Sequence, residues 1–211
     1  MIHCRPKRLT WKKIREEVED FRSRYSRIQE VPIEIEELIE FDLGLEIIPK
    51  HGLKASADVE AFLSKDMQTI FVDNEAYMNS SYSGRLRFTL AEEIGHLVLH
   101  RHIYEEGVKY ESEEEFIEAI NEIDSEDLDW IERQAREFAG RLIVPVHILI
   151  DEIKKLEDKI ETFHERYHGE DRIEDLAIEA VSKIICAKFG VSWEVVRRRI
   201  NNEGLIDIFR K

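Results

Sequence analysis

The chain has 211 residues, enough for one domain with its own hydrophobic core, alone or with a small appendage. Its hydrophobic content of 43% and charged content of 36% exclude a disordered protein and are typical of a soluble globular one. The formal net charge of −15 argues against non-specific nucleic-acid binding, because such binding requires basic side chains at the phosphates.

The sequence also lacks the features of an exported or membrane protein. The longest apolar stretch, residues 142–150, contains Pro145 and His147 and is too short to cross a bilayer. The basic N-terminus is not followed by an apolar run, so we expect no secretory signal. Cys4 and Cys186 are too few for a disulfide framework and indicate reduced thiols. We therefore predict a cytoplasmic protein without a membrane contact.

The N-terminal part of the chain predicts two helices. Residues 10–29 carry apolar side chains at helical spacing, and Thr10 is a suitable N-cap. A second, short helix is predicted after Pro32, and Gly44 is expected to end it.

A small sheet is predicted next. Residues 45–48 form a strand-like run before Pro49, which favours a strand that ends there. Residues 59–63 and 69–72 predict two further strands, joined as a hairpin through the polar residues between them.

The rest of the chain predicts helices only. They cover residues 85–100, 126–142, 146–167, 174–189 and 193–201. Because helices precede and follow the strands instead of alternating with them, the sequence predicts an α+β fold that is mostly helical.

Residues 87–100 carry the first motif with chemical meaning, Arg-Phe-Thr-Leu-Ala-Glu-Glu-Ile-Gly-His-Leu-Val-Leu-His. On a helix, Glu92 and His96 lie on one face, and Glu93 is rotated by one residue. A zincin requires two metal ligands at this spacing, and a glutamate after the first ligand takes a proton from metal-bound water. The usual pattern is His-Glu-x-x-His, so Glu92 departs from it. Taken alone, the segment fits an ordinary amphipathic helix better than a metal site.

A second segment, residues 132–145, changes this interpretation, because it predicts a helix that places Glu132 opposite the first helix as a third ligand. Together the two segments resemble the ImmA/IrrE family of metallo-endopeptidases, and the resemblance covers roughly residues 30–206. The first segment agrees with the family pattern at Arg87, Phe88, Thr89, Leu90, Ala91, Glu93, Gly95, His96 and His100. The second agrees at Glu132, Ala135, Phe138, Ala139, Leu142 and Pro145. The chain departs from the pattern at Glu92, where the family has histidine, and at Arg136, where it has asparagine.

The resemblance implies a zincin-like fold in three segments. These are an N-terminal helix in residues 1–30, a metallopeptidase domain in residues 31–170, and a C-terminal helix-turn-helix-like element in residues 171–211 that packs on it. The implied activity is that of a metal-dependent endopeptidase that cuts a regulatory protein in a phage, mobile-element or stress circuit. A helix-turn-helix repressor or an antitoxin is the expected partner.

The resemblance also implies roles for four residues. His96 and Glu132 are metal ligands, and Glu93 is the general base. Glu92 takes the place of the missing ligand. The implied metal is Zn²⁺.

The glutamate at position 92 leaves three outcomes open. In the first, Glu92 binds the metal directly, since a carboxylate oxygen is an acceptable zinc ligand. The oxygen-rich site then tilts the preference towards Mn²⁺ or Fe²⁺, and the metal-bound water is less acidic. In the second, the site moves one helical turn and uses His96 and His100 with Glu132. If His100 is not a ligand, we expect it to contact a ligand from the side away from the metal or to be a core residue.

In the third outcome no metal binds tightly. Two adjacent carboxylates without a cation repel each other, so one is protonated or pairs with an arginine, for which Arg136 is the candidate. The protein is then a catalytically silent member of the fold that acts as a protein-binding regulatory module. Chelator-sensitive cleavage of a partner separates this outcome from the endopeptidase.

The C-terminal element carries a separate hypothesis. Gly190 and Ser192 are typical of the turn between two helices, and Arg197, Arg198 and Arg199 give the second helix a basic spot. Residues of this kind contact DNA when such a helix enters the major groove. The acidity of the whole chain favours a helix pair that only packs on the domain, so DNA binding is not expected.

An acidic segment precedes the second motif. Residues 105–129 contain twelve acidic residues and one lysine, and we interpret them as a solvated edge. The alternative is a negative rim beside the site that selects basic substrates.

Overall fold

The computed structural model of the protein describes residues 6–57, 59–79, 83–106, 115 and 122–210. Over these residues the protein is mostly helical with one three-stranded sheet, so the predicted α+β class is confirmed. The helices are α1 (Trp11–Arg24), α2 (Ile35–Glu37, continued by a π-helical turn over Leu38–Asp42), α3 (Leu53–Ala57), α4 (Asn74–Met78), α5 (Ser83–Leu99), α6 (Arg101–Glu106), α7 (Ser125–Ile143), α8 (Val146–Lys154), α9 (Glu157–Arg166), α10 (Ile173–Phe189) and α11 (Trp193–Asn202). The strands are β1 (Glu46–Lys50), β2 (Ala61–Leu63) and β3 (Thr69–Asp73). In this part of the chain no helix is both long and apolar enough to cross a membrane.

The sheet has the strand order β1–β3–β2. β2 and β3 are antiparallel and form the predicted hairpin, and β1 is parallel to β3. The prediction that the first strand ends before Pro49 was wrong, because β1 extends to Lys50 and Pro49 lies opposite Val72. Proline is tolerated there because β1 is an edge strand, where one missing N–H does not break the ladder.

Most of the long helices lie within two residues of their predicted ends. α1 begins after Thr10, whose hydroxyl accepts a hydrogen bond from a backbone N–H in the first turn. The predicted helix 146–167 is instead two helices, because the Leu156 N–H bonds to the Ile153 carbonyl and the chain tightens into a turn. The apolar spacing did not reveal this break, since Ile153 and Ile160 are buried on either side of it.

The chain forms two compact units. The first comprises residues 1–30 and 34–142, and the second comprises residues 31–33 and 143–211. The predicted division into residues 1–30, 31–170 and 171–211 stays a prediction. The N-terminal helix clusters with the unit that contains the sheet, because its buried apolar face packs there.

In the first unit, the two motif-bearing helices α5 and α7 pack against the neighbouring elements, among them α1. Ile14, Val18 and Phe21 of α1 are buried, and the Phe21 ring meets Phe138 of α7 edge-on with centroids 5.7 Å apart. α5 contacts α1, α2 and β2, and its residues Leu90 and Ile94 are fully buried. This packing fixes the positions of α5 and α7.

In the second unit, α10 and α11 pack against each other. Val181 and Ile185 of α10 and Val196 and Ile200 of α11 are buried. The chain turns between the helices at Gly190, whose φ of +61° is easily adopted only by glycine. The predicted helix-turn-helix-like element is therefore present.

Candidate metal centre

α5 and α7 approach each other closely at Gly95. A Cβ atom at this position would lie 2.9 Å from the carbonyl oxygen of Ala135 and 3.1 Å from its Cα. Only a residue without a side chain fits so near another backbone. The close approach brings the next residue of α5, His96, towards Glu132 on the preceding turn of α7.

His96 and Glu132, two of the predicted ligands, lie side by side. The Nε2 atom of His96 is 3.6 Å from Oε1 of Glu132. The His96 side chain is 10% exposed, and that of Glu132 is 35% exposed. The imidazole and the carboxylate, which come from two separate helices, therefore face the same point in space.

Glu92, the third predicted ligand, is held by an arginine. The Nε atom of Arg136 donates to Oε1 of Glu92 at 3.0 Å, and one of its terminal nitrogens donates to Oε2 of Glu132 at 3.3 Å. The guanidinium thus connects the two carboxylates across the helix pair. Arg136 is the arginine that we expect to pair with a carboxylate when no metal binds tightly, and it occupies an oxygen of each predicted carboxylate ligand.

Burial shifts the pKa values of Glu92, Glu93 and His96 on α5. It raises the pKa of Glu92 to about 7, although Arg136 lowers that pKa and the charge of Glu132 raises it. Burial, followed by the charges of Glu132 and Glu92, raises the pKa of Glu93 well above its ordinary value. Burial lowers the pKa of His96. Burial therefore favours the uncharged forms of both Glu93 and His96.

These shifts predict how the stability of a Glu93→Gln variant depends on pH. The folded-state pKa of Glu93 lies above the unfolded-state value of about 4.3, so wild-type stability falls as the pH rises above that value. Glutamine does not ionise and avoids this loss. We expect the variant to gain free energy of unfolding relative to the wild type between about pH 5 and about pH 8.

Urea unfolding at both pH values measures this difference. The control is Glu165→Gln, which removes an exposed carboxylate on α9. If the free energies of unfolding of variant and wild type differ by the same amount at both pH values, the pKa of Glu93 is not raised in the folded protein.

His100 lies behind His96 and away from Glu132. The Nδ1 atoms of the two rings are 3.2 Å apart, and His100 is almost completely buried. Burial, followed by the charge of His96, lowers the pKa of His100 well below its ordinary value, although a side-chain hydrogen bond with Gln134 raises it. Gln134 donates its own amide to the carbonyl of Lys7 at 3.0 Å. His100 therefore contacts Nδ1 of His96, whereas Nε2 of His96 faces Glu132. A residue in this position can orient the His96 ring.

Glu60 is a charged neighbour of the site that the motifs did not indicate. It forms ion pairs with Lys54 and Arg85, and it accepts a hydrogen bond from the Thr89 hydroxyl at 3.4 Å. Its charge contributes to the raised pKa of Glu92. Glu60 directly precedes β2, and no sequence pattern marks it, because its position depends on how the sheet packs on α5.

The arginines of α11 do not form one exposed basic patch. Arg199 is buried, and its guanidinium contacts Glu203 at 2.7 Å and the carbonyl of Val144 at 3.4 Å. Arg197 is partly buried and pairs with Glu179 at 3.6 Å, which leaves Arg198 as the exposed one of the three. The acidic segment, residues 105–129, lies mostly outside the described residues.

The chain matches the family described as "IrrE N-terminal-like domain", Peptidase M78, over residues 64–201. It belongs to this family. No curated protein matches the chain. Family membership makes the fold zincin-like and the protein a metallopeptidase-like one.

The family implies a metal ion, typically zinc, but the donors of this member do not fit a three-ligand site as they stand. Among the described residues, no group of three or more His, Cys, Asp or Glu side chains is arranged to hold a metal ion. His96 and Glu132 converge, whereas the nearest oxygen of Glu92 is bound to Arg136. A cation that used both carboxylates would lie beside a guanidinium that stays positively charged at all relevant pH values and repels it.

Proposed function

We propose that this member of the family is a protein-binding regulator that uses the metallopeptidase fold without metal-dependent hydrolysis. The single observation that supports this function best is the position of the Arg136 guanidinium, which bonds to both Glu92 and Glu132. A catalytic zinc site needs three protein ligands and one open position for water. Here a permanent positive charge already occupies one oxygen of two of the three donors.

The state of Glu93 supports the same proposal. A general base must be ionised before it can accept a proton. Burial and two neighbouring carboxylates raise the pKa of Glu93, so its ionised form is disfavoured while the site keeps its present charges. Hydrolysis through this residue therefore requires a different charge balance from the one that Arg136 provides.

The partner that we propose is a regulatory protein, namely a helix-turn-helix repressor or an antitoxin in the cytoplasm. The support is the resemblance of residues 87–100 and 132–145 to a family that acts on such proteins. In this proposal the chain recognises the partner as the peptidases do and holds it without cutting it.

A second candidate function is peptide-bond hydrolysis of such a partner, with Glu93 as general base and zinc, manganese or iron as cofactor. The 3.6 Å approach of His96 to Glu132 favours it, because these side chains are two of the three donors required. Glu92 would have to supply the third while one of its oxygens bonds to Arg136, or after it leaves Arg136.

Metal binding by the full chain distinguishes the two functions. A metal ion at 100 times its dissociation constant stabilises a protein by about 2.7 kcal/mol, which is several degrees in melting temperature. For the silent regulator we expect no such shift with zinc or manganese. Elemental analysis after dialysis should likewise show far less than one bound ion per chain.

A peptide library provides the matching test of activity. The full chain is incubated with random peptides and zinc or manganese, with and without EDTA, and new peptide ends are identified by mass spectrometry. We expect no chelator-sensitive cleavage. Stoichiometric metal together with cleavage that EDTA abolishes would establish the second candidate and overturn the first.

A further inference from the structure

The two departures from the family motifs contact each other. Glu92 lies on α5 and Arg136 lies on α7, and 44 positions of sequence separate them. Their side chains nevertheless form a hydrogen-bonded ion pair of 3.0 Å. The packing of α5 against α7 therefore makes the two residues part of one arrangement.

The charges around the pair explain why a cation is needed there. Glu92 and Glu132 both bond to Arg136, and Glu93, which follows Glu92 directly, is buried. Carboxylates this close cannot all ionise without a positive partner. A zincin provides that partner as a metal ion, whereas this chain provides it as a side chain.

Arginine suits this task better than lysine. Its planar guanidinium carries five N–H donors in a fixed fork and can therefore bind two carboxylates at once. Arg136 uses one nitrogen for Glu92 and another for Glu132, at 3.0 and 3.3 Å. The compact ammonium of lysine is a point charge and offers no such fork.

We propose that Arg136 is the resident cation of this site and excludes a divalent metal ion by holding Glu92 and Glu132 together. This inference rests on the proposed function, because both require that the native site works without a metal. It adds that a single side chain, Arg136, excludes the metal ion, and that replacing this side chain restores metal binding. A chelator therefore leaves the native site assembled.

The test compares zinc binding by five full-length proteins. They are the wild type, Glu92→His, Arg136→Asn, the double variant Glu92→His/Arg136→Asn, and the control Arg133→Asn. Arg133 is an exposed arginine on the same helix that lies over the Trp130 ring, so its loss also removes one positive charge from α7. Zinc is measured by elemental analysis after dialysis and by the shift in melting temperature on addition of zinc.

We expect the double variant to bind about one zinc per chain, because it restores a histidine pair and frees Glu132. Its affinity should exceed that of the wild type by about 100-fold, at the upper end of effects caused by residues around a metal site. The control should bind no more zinc than the wild type. Arg136→Asn alone should bind zinc more tightly than the wild type, because the carboxylates of Glu92 and Glu132 are then free of the arginine. Glu92→His alone should gain less zinc affinity, since Arg136 remains beside the new histidine.

The outcomes separate this inference from the proposed function. If neither the wild type nor the double variant binds zinc, Arg136 is not the cause of exclusion, and only the proposed function survives. If the wild type binds zinc as tightly as the double variant, both are overturned. If the double variant does not fold, Arg136→Gln decides the matter, because it keeps Glu92 and a long polar side chain without the charge. That variant must bind zinc or manganese about tenfold more tightly than the wild type, or the inference fails.

Discussion

Replacing Gly95 with alanine should lower the free energy of unfolding by about 1–3 kcal/mol, the usual range for overpacking a tight core contact. The added methyl group would lie 2.9 Å from the carbonyl oxygen of Ala135 and 3.3 Å from Cβ of Phe138. The nearest of these atoms belongs to backbone, which cannot rotate away as the end of a flexible side chain does. α5 and α7 must therefore separate to accept the alanine.

Urea unfolding of Gly95→Ala against the wild type measures this effect. A change of 1 kcal/mol corresponds to about 2–4 °C in melting temperature for a chain of this size. Gly84, partly exposed in the first turn of α5, offers a matched control on the same helix. Alanine is the better helix former, so Gly84→Ala should leave stability unchanged or raise it slightly.

The same substitution should also disrupt the site, since Gly95 directly precedes His96. Moving the helices apart lengthens the 3.6 Å approach between His96 and Glu132. Introduced into the Glu92→His/Arg136→Asn background, Gly95→Ala should weaken zinc binding although no ligand is changed. Equal zinc affinity with and without the methyl group would show that the helix approach does not position the donors.

The sequence predicts the fold well where one element's own pattern decides the structure. The ends of α5, α7, α10 and α11 follow from apolar spacing and from residues such as Gly190. The short helices α3, α4 and α6 were not predicted, because five or six residues give too little periodicity. The parallel pairing of β1 with β3 was also not predicted, since alternation within a strand does not specify its partner.

The candidate site shows the same limit. The spacing of Glu92 and His96 on one helix is visible in the sequence, and Arg136 was a candidate partner for a carboxylate. The bonds from Arg136 to both Glu92 and Glu132 depend on how α5 and α7 dock, which local patterns do not encode. Glu60 was missed for the same reason.

The second large effect is expected in α11, where Glu203→Ala should lower the free energy of unfolding by about 3–5 kcal/mol. Arg199 and Glu203 are paired at 2.7 Å, and their side chains are only 3% and 5% exposed. Alanine removes the carboxylate and leaves the guanidinium buried with less compensation for its charge. Desolvation of an unbalanced charge costs more than the ion pair itself contributes.

Two further variants identify the cause. Arg199→Met/Glu203→Leu removes both charges and keeps the apolar volume, so it should be clearly more stable than Glu203→Ala alone. Glu179→Ala breaks the partly exposed pairs with Arg197 and Lys183 and should have little effect. If the double replacement is as unstable as Glu203→Ala, the loss comes from packing and the argument from buried charge is wrong.

The burial of Arg199 also decides how DNA binding must be tested. A triple alanine variant of Arg197, Arg198 and Arg199 would disturb the packing of α11, so any lost DNA binding would be confused with unfolding. Arg198 is the exposed residue of the three, and Arg198→Ala removes its charge without touching the buried pair. We expect a gel shift on operator-like DNA to be absent for the wild type and for Arg198→Ala alike, because the net charge of −15 opposes approach to the phosphates. A salt-sensitive shift that Arg198→Ala abolishes would instead assign a nucleic-acid contact to this helix.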